Sequence, residues 1–309
     1  MTQTSEHSAS GTAARGHAIC VTAIVLFAAG FPAAGVLLDS WGPISLIAVR
    51  VVLACALLLP IWILVDGWRQ VLAAPWVRGL WIGAVGFGFG TVILLVTQSM
   101  TDAVTAALVA AMMPVAAVTL EVLFDGRRMT PFFVLGVILV LVGGVVASGA
   151  NLANGTFGLG AVLGLIATFM FGWGSRQAVK GLPEMSSMGQ TTLTLLGAML
   201  LCLAALAIFL FFGWSGTHWA PLRGYGWSML LIYAWGAMAV SQAFWILGVG
   251  KMGVGLASFH LNAAPFYVML ILLAMGGRWD WGQALGAAIL AIGVVLAQRG
   301  DAWKAVPAE

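Results

Sequence analysis

The side chains able to handle a solute are few, and they sit inside long apolar runs. Trp235, Met238, Gln242 and Trp245 recur at i, i+3, i+7 and i+10, the spacing of a single helix face. Gln242 carries an amide that needs partners, which favours a face turned to the bundle interior over one turned to lipid. When Pro114 is aligned with Pro265, Thr91 falls opposite Gln242, so the two halves of the chain offer a polar group at one depth. His260 and Asn262 are two residues apart, roughly 200° around a helix, and cannot share a face. Asn262 falls with Ser258 and Pro265 in a seam of helix contact, which leaves His260 as the candidate contact. Phe27 and Phe31 are echoed by Phe169 and Trp173. Aromatic walls with a few polar groups suit a small amphipathic organic solute, although each of these residues also reads as packing.

Arg50 is the sharpest single charge. It lies about ten ångströms into its apolar run. Its guanidinium either snorkels toward Asp39 or lines a cavity and pairs with a substrate carboxylate. Bond-making chemistry has no comparable candidates. His7, His17, His218 and His260 do not cluster, and no Asp or Glu falls at a predicted midplane. Cys20, Cys55 and Cys202 are scattered through apolar runs with no metal or disulfide spacing. Gly86-Phe-Gly88-Phe-Gly90 has no preceding strand and is not a nucleotide loop. The expectation is no catalytic residue, no metal and no cofactor.

The elements that must position these residues follow from composition. Of 309 residues, 62% are apolar and 7% charged. A soluble domain carries about 25% charged residues. The composition excludes a soluble enzyme, a nucleic-acid binder and a disordered chain, and leaves lipid as the main solvent. The apolar runs are about 20 residues long and do not alternate at period two, which predicts helices rather than barrel strands. Ten segments are read, at about 17–38, 43–65, 76–99, 102–123, 131–149, 157–179, 187–212, 225–247, 253–275 and 281–298. Residues 1–16 and 300–309 read as polar tails, the first disordered. Cleavage of the first segment as a signal peptide is not expected, because the run extends past the Ala28-Ala29-Gly30 site.

Charge fixes the expected orientation. With both termini in the cytoplasm, only Arg223 and Arg278 lie outside, Arg50 lies within a span, and all other Lys and Arg lie inside. Trp41, Trp62, Trp68, Trp76, Trp214, Trp219, Trp227, Trp279, Trp281 and Trp303 fall at span ends, as an interfacial belt does. This predicts a multi-pass protein of a bacterial-type inner membrane.

An internal repeat is visible. Pro114 is followed by Gly126-Arg127, and Pro265 by Gly277-Arg278 at the same distance. Gly136 and Gly143 then answer to Gly286 and Gly293, with one residue deleted. Five spans per copy is an odd number, so the copies enter the membrane with opposite orientation. The predicted fold is an all-α membrane protein of ten transmembrane helices, with two inverted five-helix repeats, 17–149 and 150–299, around a central cavity. Such repeats place a solute site near the midplane and expose it to each side in turn.

These residues resemble the drug/metabolite transporter superfamily, in its ten-helix EamA branch. The small-residue run Ala103–Pro114, the turn Arg127-Arg128-Met129-Thr130 and the Gly136 and Gly143-Gly144 helix carry the resemblance. Arg50 in Ile47-Ala48-Val49-Arg50 resembles the arginine common in the family's second helix. The family often has Glu-Arg in the turn, and Arg127 and Arg278 stand where that Glu would. Within the branch the overall pattern is similar to YddG-type amino-acid exporters. The resemblance implies a secondary transporter exporting small metabolites, neutral or aromatic amino acids first. A multidrug or quaternary-ammonium exporter is the alternative, with an intramembrane enzyme or a membrane scaffold as other classes. The expected partners are the solute and the bilayer, with no nucleic acid; a monomer is expected, a dimer being the alternative.

Overall fold

The computed structural model describes residues 3–125, 130–147, 156–245, 247–248 and 260–302. Arg127, Arg128, Lys251, Ser258, Trp303 and the boundary between the two expected repeats lie outside them. All regular structure among the described residues is helical. In chain order come α1 (Gln3–Leu38), α2 (Pro43–Asp66), the short α3 (Trp68–Leu72) and α4 (Trp76–Ile82). A π-helical stretch (Gly83–Gly88) joins α4 to α5 (Phe89–Met100). Then follow α6 (Ala103–Ala111), α7 (Met113–Asp125), α8 (Pro131–Ala147), α9 (Thr156–Gly181), α10 (Ser187–Phe212) and α11 (Gly224–Leu231). A second π stretch (Ile232–Val240), α12 (Ala264–Ala274) and α13 (Trp281–Ala302) complete the order.

Among the described residues, four helical runs are long and apolar enough to cross a membrane: Arg15–Leu38, Pro43–Asp66, Trp76–Met100 and Ser187–Phe212. Their outward sides stay apolar, with Leu64 84%, Val77 85% and Phe211 83% exposed. In water such surfaces would drive aggregation; in lipid they are solvated. Trp81 is 64% exposed and belongs to the same outward surface.

Local chemistry sets the ends. Pro43 opens α2, where its missing N–H costs nothing. The Asp102 carboxylate caps α6 by accepting from Val104 N at 2.8 Å and Thr105 N at 3.0 Å. Ser186 caps α10 by accepting from Gly189 N at 3.0 Å. Gly213, with φ +67°, closes α10 in the left-handed conformation. Two features depart from the sequence reading. α3 is an additional short helix, with Val71 buried and Trp68 and Leu72 exposed. The segment expected to be a disordered tail is helical from Gln3, since once α1 has nucleated, extension adds one bond per residue fixed.

The two proline segments break in the same way. Pro removes an N–H and crowds the preceding turn. α6 therefore stops at Ala111, and α7 resumes just before Pro114. α12 likewise begins at Ala264, with Pro265 in its first turn. At the first break Met112 N donates to Val109 O at 3.1 Å and Ala116 N to Met112 O at 3.2 Å. At the second, Ala263 N donates to His260 O at 3.1 Å and Tyr267 N to Ala263 O at 3.1 Å. Each residue of the second set lies at the offset that separates Pro114 from Pro265. The first π stretch falls within the second at that same offset.

The helix packing has a matching pattern. α1 packs on the second π stretch as α9 packs on the first. α2 packs on the second π stretch as α10 packs on the first. α1 meets α12 as α9 meets α7, while α2 with α10, α6 with α12 and α8 with α13 pair directly. In the α8–α13 pair, a Cβ on Gly136 would come within 2.5 Å of Gly293 O, and one on Gly143 within 2.7 Å of Gly286 O. Only glycine allows that approach. The crossed pairing also makes the two helices antiparallel.

Candidate functional site

The π stretches place the polar groups. A π-helix bonds i to i+5 and re-aims its carbonyls and side chains relative to an α-helix. In the second stretch Tyr233 O accepts a hydrogen bond from Arg50 Nε at 3.1 Å. The Arg50 guanidinium also lies over the Tyr233 ring, 3.9 Å from its centroid. A Cβ on Gly30 would lie 3.8 Å from Arg50 Nη2. Arg50 thus sits in the seam between α1, α2 and the second π stretch, held by a carbonyl and an aromatic face rather than reaching toward Asp39. A charge so placed faces the protein interior, where a cation in a membrane belongs.

The same stretch corrects the predicted aromatic stripe. Trp235 is 41% exposed and its Nε1 donates to Leu53 O at 3.1 Å, whereas Met238 is buried. The two do not share one face, because the π turn rotates residues away from the 3.6-residue spacing. Met238 packs in the core of α1, α2 and α10 residues around Leu46, Cys55 and Cys202. Gln242 and Trp245 follow, both half-buried.

The other predicted residues are distributed as follows. Phe27 and Phe31 meet edge to face at 5.2 Å. Phe31 is buried against α6, α12 and α13 residues. Phe169 and Trp173 are half-buried on α9, and Thr91 is buried on α5. His260 is half-buried, and its Nε2 lies 3.2 Å from His17 Nδ1. The structure therefore joins Phe27 to Phe31, His260 to His17 and Arg50 to Tyr233.

Several residues were not singled out by spacing. Gln98 Nε2 donates to Phe31 O at 2.7 Å, tying α5 to α1 beside the predicted aromatic pair. Ser241 Oγ donates to Ala23 O at 3.0 Å. Thr168 Oγ1 donates to Val109 O at 3.0 Å, at the first proline break. Asn262, assigned by spacing to a contact seam, is buried at the second break with both amide atoms unpaired among the described residues. The signal available in sequence was polarity inside an apolar run; the partners are all distant in the chain. A cleft of about 300 Å³ opens elsewhere, at the Asp66 end of α2, lined by residues including Trp62, Asp66, Gln70, Glu184 and Ser186.

The fold and composition define a multi-pass helical membrane protein. Residues 14–149 match the EamA-like transporter family. No curated protein matches the sequence. Among solved structures, one crystal structure shares the fold with a TM-score of 0.67 at 19% identity, covering 92% of this chain and 97% of its own.

Proposed function

We propose that the chain is a secondary transporter that moves small organic solutes across a bacterial-type inner membrane by alternating access. In this reading two inverted five-helix halves, ten spans in all, enclose a central path, with both termini in the cytoplasm. The observation that carries it is the pair of proline breaks. They occur at equivalent positions with equivalent hydrogen bonds, about 14–16 Å from the ends of α6 and α12. That depth is near the middle of a roughly 30 Å hydrocarbon core. Broken helices at equivalent depths of inverted halves are where transporter solute sites form. The antiparallel glycine pairing of α8 and α13 and the family match over the first half support the same reading.

The solute class follows from the residues expected to line the path. Phe27, Phe31, Phe169, Trp173 and Trp245 supply aromatic surface; Thr91, Gln242 and His260 supply polar contacts; Arg50 supplies a cation for a carboxylate. Neutral and aromatic amino acids fit this set, as the likeness to YddG-type exporters implies. No carboxylate lies mid-span in the sequence, so export down a gradient fits better than a strongly proton-driven cycle. The test is flux in liposomes with purified protein across a panel of amino acids. Saturable, competable flux is the expected outcome; absence of saturable flux for every solute tested overturns the reading.

A further inference from the structure

We propose that Asn262 holds the carboxylate of the transported solute at the break before α12. The proposal rests on the transporter reading and names a contact within it. Asn262 is only 6% exposed. Among the described residues neither its Nδ2 nor its Oδ1 has a hydrogen-bond partner. A carboxamide offers two donors and two acceptor lone pairs. Buried groups of this kind are paired in nearly all folded proteins, and an unpaired one within a membrane is costlier still. Of the buried side chains left unpaired among the described residues, Asn262 alone leaves both a donor and an acceptor atom open to a partner outside the chain.

The surroundings select the chemistry of that partner. α12 has 11 residues, starts two positions after Asn262, and receives no side-chain cap at Ala263. Its N-terminus carries the positive end of the helix dipole. An anionic group fits this environment, with Asn262 Nδ2 donating to it. Oδ1 then remains to accept from an adjacent ammonium, so an α-amino acid satisfies both ends of the amide.

The first break is complete without a ligand. Ala111 stands where the repeat offset places the counterpart of Asn262, and it is buried. Thr168 Oγ1 donates to Val109 O at 3.0 Å and closes that break within the chain. The open amide is a property of the second half alone.

The test uses the full-length protein in detergent and in liposomes, with phenylalanine and leucine as ligands and their decarboxylated amines as controls. Wild-type protein should be thermally stabilised by the amino acids and not by the amines. Asn262→Leu should raise the melting temperature of the ligand-free protein, because it removes an unpaired buried amide. The same change should raise KM for the amino acids about tenfold. An unchanged KM alongside intact wild-type flux overturns the Asn262 contact alone, and so does a lowered melting temperature with unchanged amino-acid stabilisation. Absence of any saturable wild-type flux overturns the transporter reading instead. Should Asn262→Leu fail to fold, Asn262→Ala and the wild-type comparison of acids with amines decide the matter.

Discussion

The two ends of α2 are closed by different chemistry. At its start the turn before α2 meets the loop after α10. Gly42 N donates to His218 O at 2.9 Å and Ile44 N to Gly216 O at 3.0 Å. Trp41 Nε1 donates to Ala220 O at 2.8 Å, and its ring meets Trp219 at 4.8 Å. At its finish the loop after α2 meets the turn before α10, the counterpart junction under the proposed repeat. Here the described hydrogen bonds across the junction come from side chains. Ser186 Oγ donates to Asp66 Oδ2, which also accepts from Trp62 Nε1 at 2.9 Å. Beside that clasp lies the cleft bordered by Gln70 and Glu184. One junction is a main-chain seal backed by two indoles meeting edge to face; the other is a single carboxylate beside a cleft. A main-chain seal cannot be loosened without moving backbone, whereas a carboxylate clasp opens when one side chain rotates.

The comparison breaks most visibly at the sealed end. Trp41 is 7% exposed and carries both the ring contact and a hydrogen bond across the junction. Trp41→Ala should cost about 3–5 kcal/mol, the usual range for a truncated buried Trp. Thermal unfolding in detergent measures it. A loss under about 1 kcal/mol would mean that the main-chain bonds alone hold this end. At the clasped end Asp66→Ala leaves Trp62 Nε1, on a side chain 1% exposed, without its acceptor. The expected cost is about 1–3 kcal/mol. The same change should raise the labelling rate of a cysteine placed at Gln70, since the cleft is no longer bridged. An Asp66→Ala loss equal to that of Trp41→Ala would remove the distinction between the ends.

The sequence made much of the scaffold readable and little of the site. Segment ends followed from particular residues: Pro43 and Ser186 at starts, Gly213 at an end, tryptophans near the interfaces. The prolines and the spacing of Gly136 and Gly143 against Gly286 and Gly293 were legible as a repeat, whereas the helix breaks beside the prolines and the glycine contact of α8 with α13 came only from the structure. The π stretches carried no such mark. One is built from Gly83, Gly86 and Gly88, the other from Tyr233, Trp235 and Met238, because a π turn answers to what it packs against rather than to its own residue types. Reading the second stretch at 3.6 residues per turn is what put Trp235 and Met238 on one face. Arg50 was recognisable as a charge out of place, but its partner Tyr233 O is a backbone atom far along the chain. Asn262 was set aside because spacing reports which residues share a face and says nothing of whether an amide is paired.

The smallest expected effect is the sharpest test of the clasp. Ser186 has two jobs, since its Oγ accepts from Gly189 N at 3.0 Å as the cap of α10 and donates to Asp66 across the junction. Ser186→Ala would remove both and confuse them. Ser186→Gly removes the clasp while costing the cap only a few tenths of a kcal/mol, because glycine is itself tolerated at that position. Trp62 Nε1 keeps its acceptor, so no buried donor is orphaned. Stability should therefore fall by roughly 1 kcal/mol or less, the net worth of one partly exposed hydrogen bond to a charged group. Labelling at Gln70 should nevertheless rise toward the Asp66→Ala rate, because the same bridge across the cleft is gone. A labelling rate unchanged from wild type would show that the ends of α2 and α10 are held by packing around Trp62 and Met185, and that the hydroxyl does no more than cap its helix.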